Sequence, residues 1–270
     1  MKFFIIFSFF LSLYAFTEES ECGDYLSKNL LIKGKCESVK IDASDKASLQ
    51  RGAKLYMNYC FGCHSLKYVR YNRISKDLSI PQDLFEKNLI FGNQKMGDLM
   101  TNGMNPSDAK DWFGIAPPDL TLQTSLKGPD WLYTYLISFY TDETRPLGVN
   151  NKVYENVSMP NILVNLQGNQ HTVCEDIPEI AENGGQKQDP LTGNIITYQE
   201  CGFLEVEEGS GELSSESFNS SMQDLTNFLS YVSDPIKLER EYMGKFVILY
   251  LLIFTVLAYL LYREFKKDIH

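Results

Sequence analysis

The chain is poor in histidine, with three in 270 residues, and its six cysteines include a single close pair. A structural zinc site takes four ligands, commonly from two such pairs, and no second C-x-x-C is present to complete one. Basic side chains are also in deficit, 25 Lys and Arg against 35 Asp and Glu, for a formal net charge of −10. That balance speaks against a nucleic-acid partner, whose phosphates call for clustered Lys and Arg. No internal repeat is present, which excludes a stacked-repeat architecture. Few strands are indicated, and long apolar runs occur only near the two ends.

What is present is the run Cys60-Phe61-Gly62-Cys63-His64. C-x-x-C-H is the pattern by which a chain holds haem on two thioether bonds and ligates its iron. Two thiols three apart on one helical turn reach the two vinyl groups of a porphyrin, and the adjacent imidazole falls beneath the metal. A thioredoxin-like dithiol is the rival, but it calls for a strand leading into the motif. Here Asp45 can cap a helix on which Leu49, Ala53, Tyr56, Met57 and Cys60 recur at helical spacing.

Residues 3–16, FFIIFSFFLSLYAF, follow a single basic residue, Lys2, with Ala15 near a cleavage point, so residues 1–16 read as a secretory signal. As a helix these 14 residues span ~21 Å, short of a hydrocarbon core of about 30 Å. Export fits the motif, because cysteine pairs oxidise outside the cytoplasm. Residues 246–262 contain no charge, and a transmembrane helix is expected over 243–262. Tyr242, Tyr259 and Tyr262 fall near its edges, and Arg263, Lys266 and Lys267 follow. Lys237, Arg240 and Lys245 balance them on the other side, so orientation rests on the signal. Residues 17–242 are then a periplasmic haem domain and 263–270 a cytoplasmic tail, on a bacterial inner membrane crossed once.

Between the ends the expected fold is mainly α, a cytochrome c-type haem domain with loop insertions. Ser79-Ile80-Pro81 opens a short helix carrying Leu84, Phe85 and Leu89, closed by Gly92. Gly128-Pro129-Asp130 opens another with Leu132, Tyr135, Leu136 and Phe139 on one face. A third, over 217–232, aligns Phe218, Met222, Leu225, Leu229 and Val232, and Asp234-Pro235 breaks it before the membrane span. Residues 168–213 are rich in Gly, Gln, Asn and Glu and read as a polar insertion. A disulfide between Cys174 and Cys201 is expected there, contributing ~3 to 4 kcal/mol by restricting the unfolded chain. Cys22 and Cys36 form a second disulfide or remain free thiols.

A six-coordinate iron suits electron transfer, so a second axial ligand is expected. Met57 shares a turn with the attachment motif and cannot cross the ring. Met96, Met100 and Met104 repeat every four residues, as core residues do, and His171 sits inside the polar insertion. Met159, followed by Pro160 in an aperiodic stretch, suits a loop folded over a haem face. Pattern alone favours Met159 and leaves His171 open. Methionine ligation would raise the reduction potential.

The chain resembles the cytochrome c1 family, the c-type haem subunit of the quinol-cytochrome c oxidoreductase (bc1) complex. The resemblance is carried by RGAKLYMNYCFGCHSLKYVRYNR from Arg51, WFGIAPPDL from Trp112, DWLYTYLISFYTDETRP from Asp130 and NVSMPNILVNLQG from Asn156. It implies one haem c, bound covalently by Cys60 and Cys63, with His64 and Met159 as axial ligands and Pro117 and Pro118 lining the pocket. It also implies an electron carrier that accepts from the Rieske iron-sulfur subunit and reduces a soluble or membrane-bound cytochrome c beside cytochrome b. On that reading the chain alone catalyses nothing, since quinol is oxidised by its partners. One departure is TLQTSLKGP from Thr121, where many family members carry arginines and only Lys127 is basic here, which offers a propionate a point charge rather than a fork.

Residues 17–242 hold 20 basic and 33 acidic side chains, a net of −13, and residues 188–236 contain no Lys or Arg. Such a field steers a basic cytochrome c or simply keeps the domain soluble. The alternative function is a membrane-anchored c-type cytochrome donating directly to a terminal oxidase or reductase.

Overall fold

A computed structural model describes residues 21–27, 33–181 and 185–267. The expected signal segment lies outside them, as do the last three residues of the expected tail. The chain is mainly α: nine α-helices occur among the described residues, with eight strands in four two-stranded antiparallel ribbons. It divides into two compact units, each assembled from three segments. One takes the described parts of Met1–Val39 with Pro106–Ala116 and Lys127–Met222; the other takes Lys40–Asn105, Pro117–Leu126 and the described part of Gln223–His270.

The second unit contains the attachment motif. Asp45 caps the helix Lys46–Leu55, its carboxylate accepting from Ser48 N at 3.0 Å. This helix runs into a single π-turn, Tyr56–Cys60. Leu49, Ala53, Tyr56, Met57 and Cys60 are all buried, as their spacing predicts. Gly52 lets the helix lie against the later part of the helix Ser215–Ser233, because a Cβ there would stand 2.1 Å from the Asp224 carbonyl oxygen. Beside it Arg51 grips the Asp224 carboxylate in a fork of 2.5 and 2.9 Å. Asn227, on the same helix, closes a pair of hydrogen bonds with the Asp42 backbone. The core is threaded by rings in sequence, Phe228 to Tyr56 to Phe61 to Tyr71 to Phe85, with centroids 5.8 to 6.4 Å apart.

Two details of this unit differ from the sequence pattern. The helix Gln82–Leu89 begins after Pro81 as expected, but it buries Phe85 alone and leaves Leu84 half exposed. The fourfold spacing of Met96, Met100 and Met104 does not mark a helix. Met96 sits in a turn and Met100 in the two-residue strand Leu99–Met100, which pairs with Leu66–Arg70. Both side chains are core, so the packing role holds without the helix.

The helix Ser215–Ser233 stops just before Asp234-Pro235, and a new helix, Lys237–Lys267, begins. Its 31 residues give roughly 46 Å of length. Its 18-residue apolar window has a mean hydropathy of 2.2 and none of it is buried, which fits a single-pass membrane anchor.

In the first unit a disulfide joins Cys22 to Cys36, and Tyr25 and Val153 pack with it against Trp131 and Tyr135. The helix Pro129–Ile137 opens with proline at its first position. Its Asp130 and Thr134 side chains accept from Val39 N and Glu37 N, tying the N-terminal segment down. Phe139 leaves the helix for the strand Phe139–Thr141, paired with Val149–Asn151, because the helix stops at Ile137. Within the expected insertion, Gln170–Pro178 pairs antiparallel with Thr197–Val206, and the disulfide Cys174–Cys201 joins the two strands. Its base is pinched shut: Leu213 N donates to Leu166 O, and a Cβ on Gly211 would stand 2.6 Å from the Gln167 backbone.

Candidate functional site

The π-turn widens the coil immediately before the motif, Phe61 N donating to Tyr56 O at 2.9 Å, five residues back. Cys63 N and His64 N then both donate to Cys60 O, at 3.0 and 2.8 Å, so the two sulfurs and the imidazole project from one continuous coil. Four of the six cysteines are spent in disulfides, which leaves Cys60 and Cys63. Desolvation, and then the neighbouring Cys63, pushes the buried Cys60 thiol up to about 12, and desolvation also raises Cys63. A reactive dithiol needs the opposite shift toward thiolate. The shift therefore speaks against thiol–disulfide exchange at this pair.

The His64 ring is buried, and its Nδ1 lies 2.7 Å from the Pro118 carbonyl oxygen. A carbonyl can only accept, so Nδ1 carries the hydrogen and Nε2 keeps an open lone pair. Desolvation holds the imidazole below its ordinary pKa, against the opposing pull of the Pro118 carbonyl and Asp119. The neutral ring with a free Nε2 is the form that ligates a metal.

Several bonds clamp this arrangement. Tyr56 donates its hydroxyl to His64 O at 2.6 Å. The segment that supplies Pro118 runs beside the chain after His64: Leu120 N donates to Ser65 O at 3.0 Å, and the Asp119 carboxylate accepts from Lys67 N at 2.8 Å and Thr121 N at 3.0 Å. Pro117 and Pro118 have no N–H and a fixed φ, so this stretch can offer only carbonyls. Two unpaired thiols one turn apart, beside an imidazole with one committed and one open nitrogen, fit a covalently bound haem. Among the described residues no three His, Cys, Asp or Glu side chains converge to hold a bare ion.

Cys60, Cys63, His64, Pro117 and Pro118 all belong to the second unit, and Pro118 contributes its backbone carbonyl to the histidine. Met159 belongs to the first unit, half-buried between the strand Val149–Asn151 and the short helix Val164–Gln167. Its Sδ accepts a hydrogen bond from the Tyr135 hydroxyl at 3.4 Å. His171 is exposed on the hairpin, paired across it with Glu205. Lys127 lies with Nζ 5.4 Å from the centre of the Trp131 ring. Sequence reasoning missed Tyr56, Asp119 and Tyr135 as polar partners. Only the unbroken Pro-Pro-Asp-Leu run hinted that Asp119 had a local task.

The chain matches the Cytochrome C1 family over residues 38–269. It is similar to the cytochrome c1 of Allochromatium vinosum, 49% identical over 234 residues that cover 87% of this chain and 89% of that one. It is similar also to the ammonia monooxygenase gamma subunit of Nitrosomonas europaea, 36% identical with 87% and 89% covered. A 23% identity extends over 84% of this chain to a protein named cytochrome b/c1 from Bradyrhizobium diazoefficiens, of which it covers 34%.

Proposed function

The chain belongs to the cytochrome c1 family, and from that premise we propose that it is the haem-bearing electron-transfer subunit of a respiratory bc1 complex. The family implies haem c. In our reading Cys60 and Cys63 would hold one haem covalently, His64 Nε2 and Met159 Sδ would ligate its iron, and Pro117 and Pro118 would line the pocket. When bound, the haem supplies a one-electron couple. The chain's own part is to fix the histidine tautomer through the Pro118 carbonyl and to carry the acidic surface that meets an acceptor.

We assign residues 1–16 to a signal peptide, 17–242 to a periplasmic domain with 168–213 inserted, 243–262 to the membrane and 263–270 to the cytoplasm. Electrons would arrive one at a time from a Rieske subunit and leave to a cytochrome c. Cytochrome b would be the membrane partner, and the Bradyrhizobium diazoefficiens relative, whose name joins b and c1 in one chain, supports that pairing. The observation that carries the reading is His64, with Nδ1 bonded to the Pro118 carbonyl beside the two unpaired cysteines.

The name of the Nitrosomonas europaea relative, a monooxygenase subunit, favours keeping a second reading, direct donation to another oxidoreductase such as a terminal oxidase or reductase. Purification of the tagged chain from its native membrane separates the two. We expect a haem-stained band on a denaturing gel, co-purification with cytochrome b, and electron transfer to a basic cytochrome c that slows as salt rises. An unstained band overturns the haem site, a terminal oxidase in place of cytochrome b favours the second reading, and a rate indifferent to salt removes the steering role.

A further inference from the structure

The helix Pro129–Ile137 carries one side chain that faces the predicted distal ligand. Tyr135 is half-buried, with its ring stacked on Trp131 at 5.2 Å and 7° and met edge-on by Phe139 at 5.1 Å. Its backbone is fixed as well. Asn151 Nδ2 donates to Tyr135 O at 2.9 Å, and Asn151 Oδ1 accepts from Ser138 Oγ, Val153 N and Tyr154 N. The phenol is therefore aimed from a rigid frame that also holds the start of the methionine stretch. What it meets is the thioether of Met159, at 3.4 Å.

A thioether sulfur has two lone pairs and is a weak acceptor, so a hydroxyl directed at it is an uncommon use of a half-buried tyrosine. We propose that Tyr135 is a positioning residue for Met159: its hydroxyl occupies one sulfur lone pair, leaves the other available to ligate, and makes the sulfur a weaker donor to ferric iron. This rests on Met159 being the axial ligand. A weaker donor destabilises the oxidised state, so Tyr135 raises the reduction potential, in the way that second-shell hydrogen bonds tune metal ligands. An ordinary phenol is protonated at physiological pH, so the donor hydrogen is in place.

The test is an optical redox titration of the full-length, haem-loaded protein, with the sulfur-to-iron charge-transfer band of the ferric form recorded alongside. Tyr135→Phe keeps the ring stack and removes only the donor. We expect about a fivefold shift toward the oxidised form at fixed potential, the size of one modest hydrogen bond, or about 40 mV downward at 59 mV per tenfold, with the band displaced. 3-Fluorotyrosine at position 135, a stronger donor of nearly the same shape, should move the potential upward. In a Met159→Leu background the Tyr135→Phe shift should vanish, as a double-mutant cycle requires when one group acts through the other. If Met159→Leu moves the spectrum and potential while Tyr135→Phe moves neither, the proposal is wrong and the ligand stands. An equal shift from Tyr135→Phe in both backgrounds also refutes it, whereas a silent Met159→Leu removes the ligand assignment itself.

Discussion

One ring nitrogen of His64 is committed before any ligand is considered, and the group it is committed to is a carbonyl that no sequence motif records. The position of that carbonyl depends on Asp119, which accepts two backbone N–H groups and so pins the segment that follows Pro118. Hydrogen bonds to a charged acceptor contribute about 1.5 to 3 kcal/mol each, less where solvent competes. Asp119→Ala should therefore lower unfolding free energy by about 2 kcal/mol and, by loosening the Pro118 carbonyl, alter the absorption spectrum of the haem-loaded chain. Urea denaturation with spectra in parallel checks both; an unchanged midpoint would show the segment to be held by Leu120 N and Ser65 O alone. Cys60, Cys63 and His64 stood out in the sequence because the C-x-x-C-H pattern fixes residue type and spacing together. Pro118 was legible only as a proline, since a backbone acceptor carries no residue code. Tyr135 was read as one member of an apolar face, and its hydroxyl partner lies 24 residues further along the chain.

Among the elements, the helix Lys46–Leu55 and the helix Ser215–Ser233 are packed as closely as backbone allows at Gly52. A methyl group placed 2.1 Å from the Asp224 carbonyl has no rotamer by which to escape, because both groups belong to helix backbones. Gly52→Ala would gain helix propensity but must push the helices apart, straining the Arg51–Asp224 fork and the Asn227 bonds. The expected net loss is about 1 to 3 kcal/mol, seen as a lower denaturation midpoint. A variant as stable as the parent would mean that this contact yields without loss. Elements of this kind were the most legible, since Asp45, Gly128-Pro129 and Asp234-Pro235 are local stop and start signals and the buried stripes repeat with the helical period. The hairpin Gln170–Pro178 with Thr197–Val206 was not, because few of its positions are fully buried and its polar sequence shows no alternation to read. The π-turn was hidden for a different reason: one extra residue in one turn leaves the apolar spacing nearly unchanged.

For the whole molecule, pH acts most strongly through tyrosine, of which the chain has 16. Desolvation is the first cause in each affected case, and it raises Tyr25, Tyr56, Tyr135 and Tyr231 far above an ordinary phenol and Tyr71 to about 12. Tyr25 is raised further by Glu37, and Tyr231 by the hydrogen bond it donates to Asp77. A phenol whose folded pKa is raised binds its proton more tightly in the folded state. Its contribution is therefore complete below the unfolded value of about 10 and is lost as pH climbs above it. Each tyrosine that stays protonated in the fold removes about 1.4 kcal/mol per pH unit over that range, so several together make a steep alkaline limb. Among the described residues the acid limb has no matching set of carboxylates: Asp42, Asp142 and Asp189 are lowered by hydrogen bonds within exposed turns, where solvent screens the gain. The urea midpoint should thus stay nearly level from neutral pH to about 9.5 and then fall sharply, with tyrosinate absorbance from the buried rings rising only as the chain unfolds. A midpoint unchanged to pH 11.5, or full tyrosinate absorbance while the far-ultraviolet circular dichroism is still native, would mean that these rings are wet and the packed aromatic chain from Phe228 to Phe85 is open to solvent.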